Sequence, residues 1–146
     1  MTSTAEMIGV VGGGQLARML VQAAAERDVP IAVQTPSGQD PASEGATRQV
    51  SADPRDVAGT RDLVQGCCGV TFENEWVDIA ALRPLERQGV CFSPGLKALS
   101  PLVDKLSQRQ LLDELAIPAP PWCALTEISP SQPALPKGWR FPVMAK

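Results

Sequence analysis

Over the first hundred residues, short apolar runs alternate with amphipathic stretches. Met7 to Val11 is apolar throughout and predicts a buried strand, and Gln15 to Asp28 carries Leu16, Met19, Leu20 and Ala23 to Ala24 at helical spacing. Ile31 to Gln34 predicts the next strand, closed by Pro36 and the polar run Ser-Gly-Gln-Asp-Pro. Gln49 to Ala52 is a weaker strand. Asp53-Pro54 reads as a helix cap with proline in the first turn, opening a helix that runs to Gln65 and stops at Gly66. Gly69 to Glu73 is strand, Val77 to Gln88 is helix despite Pro84, and Val90 to Ser93 is one more short strand. Apolar strands joined by amphipathic helices predict a parallel sheet covered on both faces.

The pattern changes after Pro94. Leu102, Leu106, Leu111, Leu112 and Leu115 mark a helix with Lys105 and Arg109 one turn apart, which the proline-rich run from Ile117 to Pro121 ends. Trp122 to Thr126 is a strand candidate, and Ser129 to Gly138, with Pro130, Pro133 and Pro136, reads as a loop or tether. Phe141 to Lys146 begins what reads as another strand. A chain that ends inside a strand leaves backbone groups without partners, so the expectation is an N-terminal fragment of a longer protein.

Composition removes several function classes. The net charge of −3 provides no basic footprint for nucleic acid. There is no histidine, which excludes a histidine-based triad. The four cysteines, Cys67, Cys68, Cys91 and Cys123, have no C-x-x-C spacing and read as reduced thiols, the adjacent Cys67-Cys68 included. No apolar run is long enough to span a bilayer, and the first residues lack a signal core. The expected location is the cytoplasm, without membrane contact.

The candidate chemistry starts at Gly12-Gly13-Gly14-Gln15-Leu16-Ala17. It fits G-x-G-x-x-G/A between a strand and a helix, where glycine lets the backbone turn sharply and the first helical amides favour an anion such as phosphate. A purely structural tight turn is the alternative. A dinucleotide site would also need an acid at the end of the second strand. That region reads Ile31-Ala32-Val33-Gln34-Thr35-Pro36, with no carboxylate before Asp40.

The glycine turn with Gln15-Leu16-Ala17-Arg18-Met19 is followed in order by Gly69-Val70-Thr71-Phe72-Glu73-Asn74-Glu75, Phe92-Ser93-Pro94, Asp104-Lys105 with Arg109 and Leu112, Ile117-Pro118-Ala119-Pro120, and Pro142 to Lys146. This series resembles the first part of the N5-carboxyaminoimidazole ribonucleotide synthetase family of the ATP-grasp superfamily. The resemblance implies an α/β fold: a Rossmann-like pre-ATP-grasp domain over residues 1–100, then the beginning of an ATP-grasp domain over 101–146. It implies a ligase that uses ATP and Mg²⁺ to phosphorylate bicarbonate and carboxylate 5-aminoimidazole ribonucleotide in purine biosynthesis, and an enzyme that is commonly a dimer. The Mg²⁺ carboxylates and the residues for bicarbonate would lie beyond Lys146, so this chain alone is expected to be inactive.

Carried over by position, Gly12, Gly13, Gly14, Gln15, Leu16 and Glu73 are similar to the part that meets the ribonucleotide, and Lys105 and Lys146 to lysines that meet ATP. The family usually shows Tyr-Glu-Phe-Glu-Asn where this chain has Phe72-Glu73-Asn74-Glu75-Trp76, which leaves the role of Glu75 open. Without the resemblance, Lys105 and Arg109 are a solvated helix face, Lys146 a solvated lysine, and Glu73 a cap for the helix near Val77. Trp76, Trp122 and Trp139 are given no role. Three rivals stay open: a dinucleotide-binding Rossmann module; another ATP-grasp ligase such as the formate-dependent glycinamide ribonucleotide transformylase, whose turn typically carries an acid where Gln15 stands; and a truncated product that binds nothing.

Overall fold

The computed structural model describes residues 6–124 and 135–145. The chain divides into two compact units, Met1–Ser100 and Pro101–Lys146. In the first, β1 (Met7–Val11), β2 (Ile31–Thr35), β3 (Arg48–Ser51) and β4 (Cys67–Phe72) form one sheet in the order β3-β2-β1-β4, and every pairing is parallel. Helices α1 (Gln15–Ala25), α2 (Val57–Leu63) and α3 (Ile79–Arg87) connect or follow the strands, and α4 (Leu96–Leu99) leads into a short 3-10 turn, Ser100–Leu102.

The two-residue period of a strand sorts side chains to opposite faces, and each face has its own core. Ile8, Val10, Ile31 and Val33 pack with Ala17 and Val21 of α1, together with Ala42. Met7, Val11, Ala32, Val50 and Val70 pack instead with Leu63 of α2, Ile79, Leu82 and Leu85 of α3, and Leu96 and Leu99 of α4. Both faces are therefore covered. All five residues of β2 are buried, as an interior strand of a parallel sheet requires.

Several boundaries differ from the sequence reading. Asp56, not Asp53, caps α2, its carboxylate accepting from the Ala58 N–H at 2.9 Å. Asp53 instead closes the preceding turn, accepting from the Arg55 N–H at 2.8 Å. Arg48 on the edge strand β3 caps the other end of α2 by donating to the carbonyls of Asp62, Leu63 and Gln65. Asp78 starts α3 two residues later than the pattern suggests. Val90 to Ser93 does not extend the sheet beyond a single bridge, Val70 to Phe92. Pro94 follows directly and has no N–H with which to continue a ladder.

Helix α1 ends in a Schellman motif: the Val29 N–H donates to the Ala24 carbonyl at 3.0 Å and the Asp28 N–H to the Ala25 carbonyl at 3.2 Å. This places Asp28 in the left-handed region, with φ 54°. Glycine fills the same position after α3, at Gly89. Asp28→Gly is expected to stabilise the first unit by about 0.5–1 kcal/mol, read as a rise in the denaturant midpoint.

The second unit contains α5 (Lys105–Glu114), capped by Asp104, whose carboxylate accepts from the Ser107 N–H at 2.7 Å. That bond holds the Asp104 carboxyl below its ordinary value of 3.8. Its contribution is therefore complete above the ordinary value and is lost as pH falls through the lower, folded one. The Ser107 amide resonance should move, and the first turn of α5 fray, only in strongly acid solution. The Trp122 indole donates to Asp113 on α5 at 3.1 Å. No strand forms at Trp122 to Ala124 or Phe141 to Ala145, where strands were expected. The remaining residues of both expected strands, with much of the expected proline-rich loop, lie outside the described residues.

Candidate functional site

The carboxyl edge of a parallel sheet is where α/β folds collect ligands, and here it is built around the turn after β1. Gly12 leaves the strand with φ +116°, donating its N–H to the Gln34 carbonyl at 2.9 Å. The Gly13 carbonyl accepts from the buried Ala42 in the loop after β2, also at 2.9 Å. Gly14 is the N-cap of α1 and has no side chain with which to cap it.

The missing cap comes from β4. The Glu73 backbone N–H donates to the Val11 carbonyl at 2.9 Å, continuing the sheet for one residue, and its carboxylate Oε2 accepts from the Gly14 N–H at 2.9 Å. A negative group at the positive end of α1 is electrostatically favourable. Glu73 thus caps α1 and not the helix near Val77, where Asp78 already serves.

This arrangement changes the meaning of the three glycines. A Cβ on Gly12 or Gly14 would fall on the Glu73 side chain, and a Cβ on Gly13 would fall on Thr35. The glycines are required first by the chain's own side chains. Thr35 is buried at the end of β2, and its hydroxyl donates to the Asp40 carboxylate, which also accepts from the Ser37 N–H at 3.2 Å. Glu73 and Asp40 therefore flank the turn from the two neighbouring strands. The expectation of a bare amide nest for phosphate gives way to an edge lined by carboxylates, suited to a ligand that presents hydrogen-bond donors.

Gln15 and Leu16 follow the turn with exposed side chains, Leu16 at 59 %. The structure brings Gly12, Gly13, Gly14, Gln15, Leu16 and Glu73 together. Lys105 opens α5 in the second unit, and Lys146 lies outside the described residues. No group of three or more acidic, cysteine or histidine side chains suited to a metal occurs among the described residues. All four cysteines are free, and burial pushes the Cys67 thiol up against the opposing pull of Arg48. No helix among the described residues is long and apolar enough to cross a membrane.

Gln34 settles what β2 offers a dinucleotide. Its fully buried carboxamide donates to the carbonyls of Asp53 at 2.7 Å and Asp56 at 3.0 Å and accepts from the Thr60 hydroxyl at 2.8 Å. Both of its donors and its oxygen are engaged by the start of α2 and the turn before it. Thr35 and Asp40 are the site neighbours that pattern reading passed over. A buried threonine closing β2 beside an Asp-Pro turn was the available signal, but it read only as loop punctuation.

An all-parallel sheet with helices on both faces and a glycine turn between its first strand and first helix defines a Rossmann-like α/β domain. Residues 5–101 match the ribonucleotide synthetase preATP-grasp domain, and the chain belongs to that family. It is 44% identical over 129 residues to N5-carboxyaminoimidazole ribonucleotide synthase of Synechocystis sp., a match covering 88% of this chain and 33% of the relative. The same enzyme of Synechococcus elongatus is 44% identical over 144 residues, covering 99% and 36%. The chain thus spans about a third of the length of these curated relatives. Among solved structures, N5-carboxyaminoimidazole ribonucleotide synthetase from Thermotoga maritima superposes with a TM-score of 0.72 at 31% identity, over 80% of this chain and 32% of that one. The Aspergillus clavatus synthase, in complex with ADP and 5-aminoimidazole ribonucleotide, gives 0.69 at 29% identity, over 78% and 30%.

Proposed function

We propose that this chain is the ribonucleotide-binding N-terminal part of a ligase that carboxylates 5-aminoimidazole ribonucleotide with ATP and bicarbonate. The observation that carries the reading is Glu73 on the Gly14 amide, at the carboxyl edge of a domain whose relatives bear that enzyme's name. Gln15, Leu16 and Glu73 form the substrate edge. Glu73 takes a donor group of the ribonucleotide and leaves the phosphate to cationic groups elsewhere, because a second anion would meet two carboxylates at the turn. Residues 101–146 open the ATP-binding domain, in which Lys105 contacts ATP and Lys146 reaches the nucleotide phosphates. Mg²⁺ is bound by other parts of the ligase, as are the reacting groups, and the ligase works as a cytoplasmic dimer.

In this scheme the chain's own contribution is to hold and orient one substrate. The metal-assisted phosphoryl transfer belongs to the other parts of the ligase. The test compares calorimetric titrations of 5-aminoimidazole ribonucleotide into the wild type, Gln15→Ala and Glu73→Gln. Each substitution is expected to weaken binding about tenfold or more, with the thermal midpoint moved by only a few degrees. Undiminished affinity in Glu73→Gln would contradict the assignment.

A further inference from the structure

Dinucleotide-binding sheets place an acid at the carboxyl end of the second strand, where it accepts hydrogen bonds from ribose hydroxyls. In sequence this chain lacks that acid, since Gln34 and Thr35 occupy the end of β2. The fold supplies a carboxylate there by another route. The loop after β2 turns back, with the Asp40 N–H donating to the Ser37 carbonyl at 3.2 Å, and Asp40 comes to accept from Thr35, the last residue of β2. The Thr35 side chain is itself the group against which Gly13 packs. Asp40 is therefore one hydrogen bond removed from the glycine turn, on the side opposite Glu73.

We propose that Asp40 is a specificity-determining residue that accepts a hydrogen bond from a hydroxyl of the ligand's ribose. The proposal deepens the reading above and rests on it. The division of labour within the carboxylate supports it. Oδ2 takes both the Thr35 hydroxyl and the Ser37 N–H, which fixes the group in place. Oδ1 accepts no hydrogen bond from the described residues, and Asp40 is partly exposed. A carboxylate oxygen held at the ligand edge is a strong acceptor for a hydroxyl and a poor neighbour for a phosphate. With Glu73 on the β4 side and Asp40 on the β2 side, the turn presents two acceptors to a polyhydroxylated ligand.

The experiment titrates the wild type and Asp40→Asn with 5-aminoimidazole ribonucleotide and with its 2′-deoxy and 3′-deoxy counterparts. Asparagine keeps an oxygen for Thr35 and Ser37 and presents an amide donor in place of Oδ1, so the loop should hold. If the thermal midpoint nevertheless falls, the same comparison is made with Asp40→Ser. The wild type is expected to bind the ribonucleotide about 10- to 100-fold more tightly than one of the deoxy ligands, and Asp40→Asn to bind both about equally. A purely structural role would lower all affinities together and leave the ratio unchanged, which overturns the proposal. So does wild-type discrimination in Asp40→Asn, which leaves the substrate site itself intact. Failure of the wild type to bind the ribonucleotide at all would overturn both this inference and the function on which it rests.

Discussion

Gly13→Ala is expected to be among the most destabilising single substitutions in the first unit. Three atoms of the Thr35 side chain would lie within 3.0 Å of the new Cβ. Thr35 has nowhere to go: it is 1% exposed, its backbone is paired in β2, and its hydroxyl is held by Asp40. Overpacking of this kind costs about 3 kcal/mol, a fall in thermal midpoint of roughly 10–20 °C for a unit of this size. Gly38→Ala is the internal control. Its added Cβ would meet nothing nearer than 3.7 Å, so its midpoint should be unchanged. Gly14→Ala separates stability from binding, because the collision there is with the far end of the flexible Glu73 side chain. It should displace the carboxylate and weaken ribonucleotide binding while costing less stability than Gly13→Ala.

Gln34→Glu should be as damaging, for an electrostatic reason. The substitution restores the acid that a dinucleotide-binding strand would carry, yet it removes the donor shared by the Asp53 and Asp56 carbonyls. A buried carboxylate facing two carbonyl oxygens is repelled by both and is cut off from water. The expected loss is about 3–5 kcal/mol, seen as a lower denaturant midpoint with no gain in NAD affinity. A stable variant that acquires NAD binding would show that Gln34 is a replaceable ligand contact and not the anchor of the turn before α2.

The parts of this fold that were legible in the sequence are those in which local pattern and tertiary burial agree. β1 runs over the expected residues, and β2 and α1 begin where their apolar patterns begin, because those patterns coincide with the two covered faces of the sheet. The start of α2 was misread because Asp53-Pro54 and Asp56 both carry cap chemistry. The choice between them is made by Gln34, nineteen residues before Asp53, which holds both carbonyls. Such a contact leaves no mark on local spacing. The fifth strand was overcalled for the opposite reason: Val90 to Ser93 has the right residues, but Pro94 limits it to one bridge.

The site was legible to a lesser degree. The glycine turn announced itself by spacing, and Glu73 was singled out by family resemblance together with its place at the end of a strand; the structure adds its bond to the Gly14 N–H. What spacing could not convey is that the turn is filled by the chain's own side chains. The Glu73 contact spans 59 positions, and Thr35 meets Gly13 across two strands. Asp40 lay in plain sight as a residue too late in the chain to serve β2. Only the reversal of the loop at Ser37 to Asp40 returns it to the strand end.

The most direct measurement for the central claim is calorimetric titration of the wild-type chain with 5-aminoimidazole ribonucleotide and, in parallel, with NAD. Saturable binding of the ribonucleotide with none of NAD is the predicted result, since the proposed site offers Glu73 and Asp40 as acceptors and the Gln34 carboxamide at the end of β2 is engaged by Asp53, Asp56 and Thr60. Saturable NAD binding without ribonucleotide binding would contradict the account and return the glycine turn to the dinucleotide-binding class.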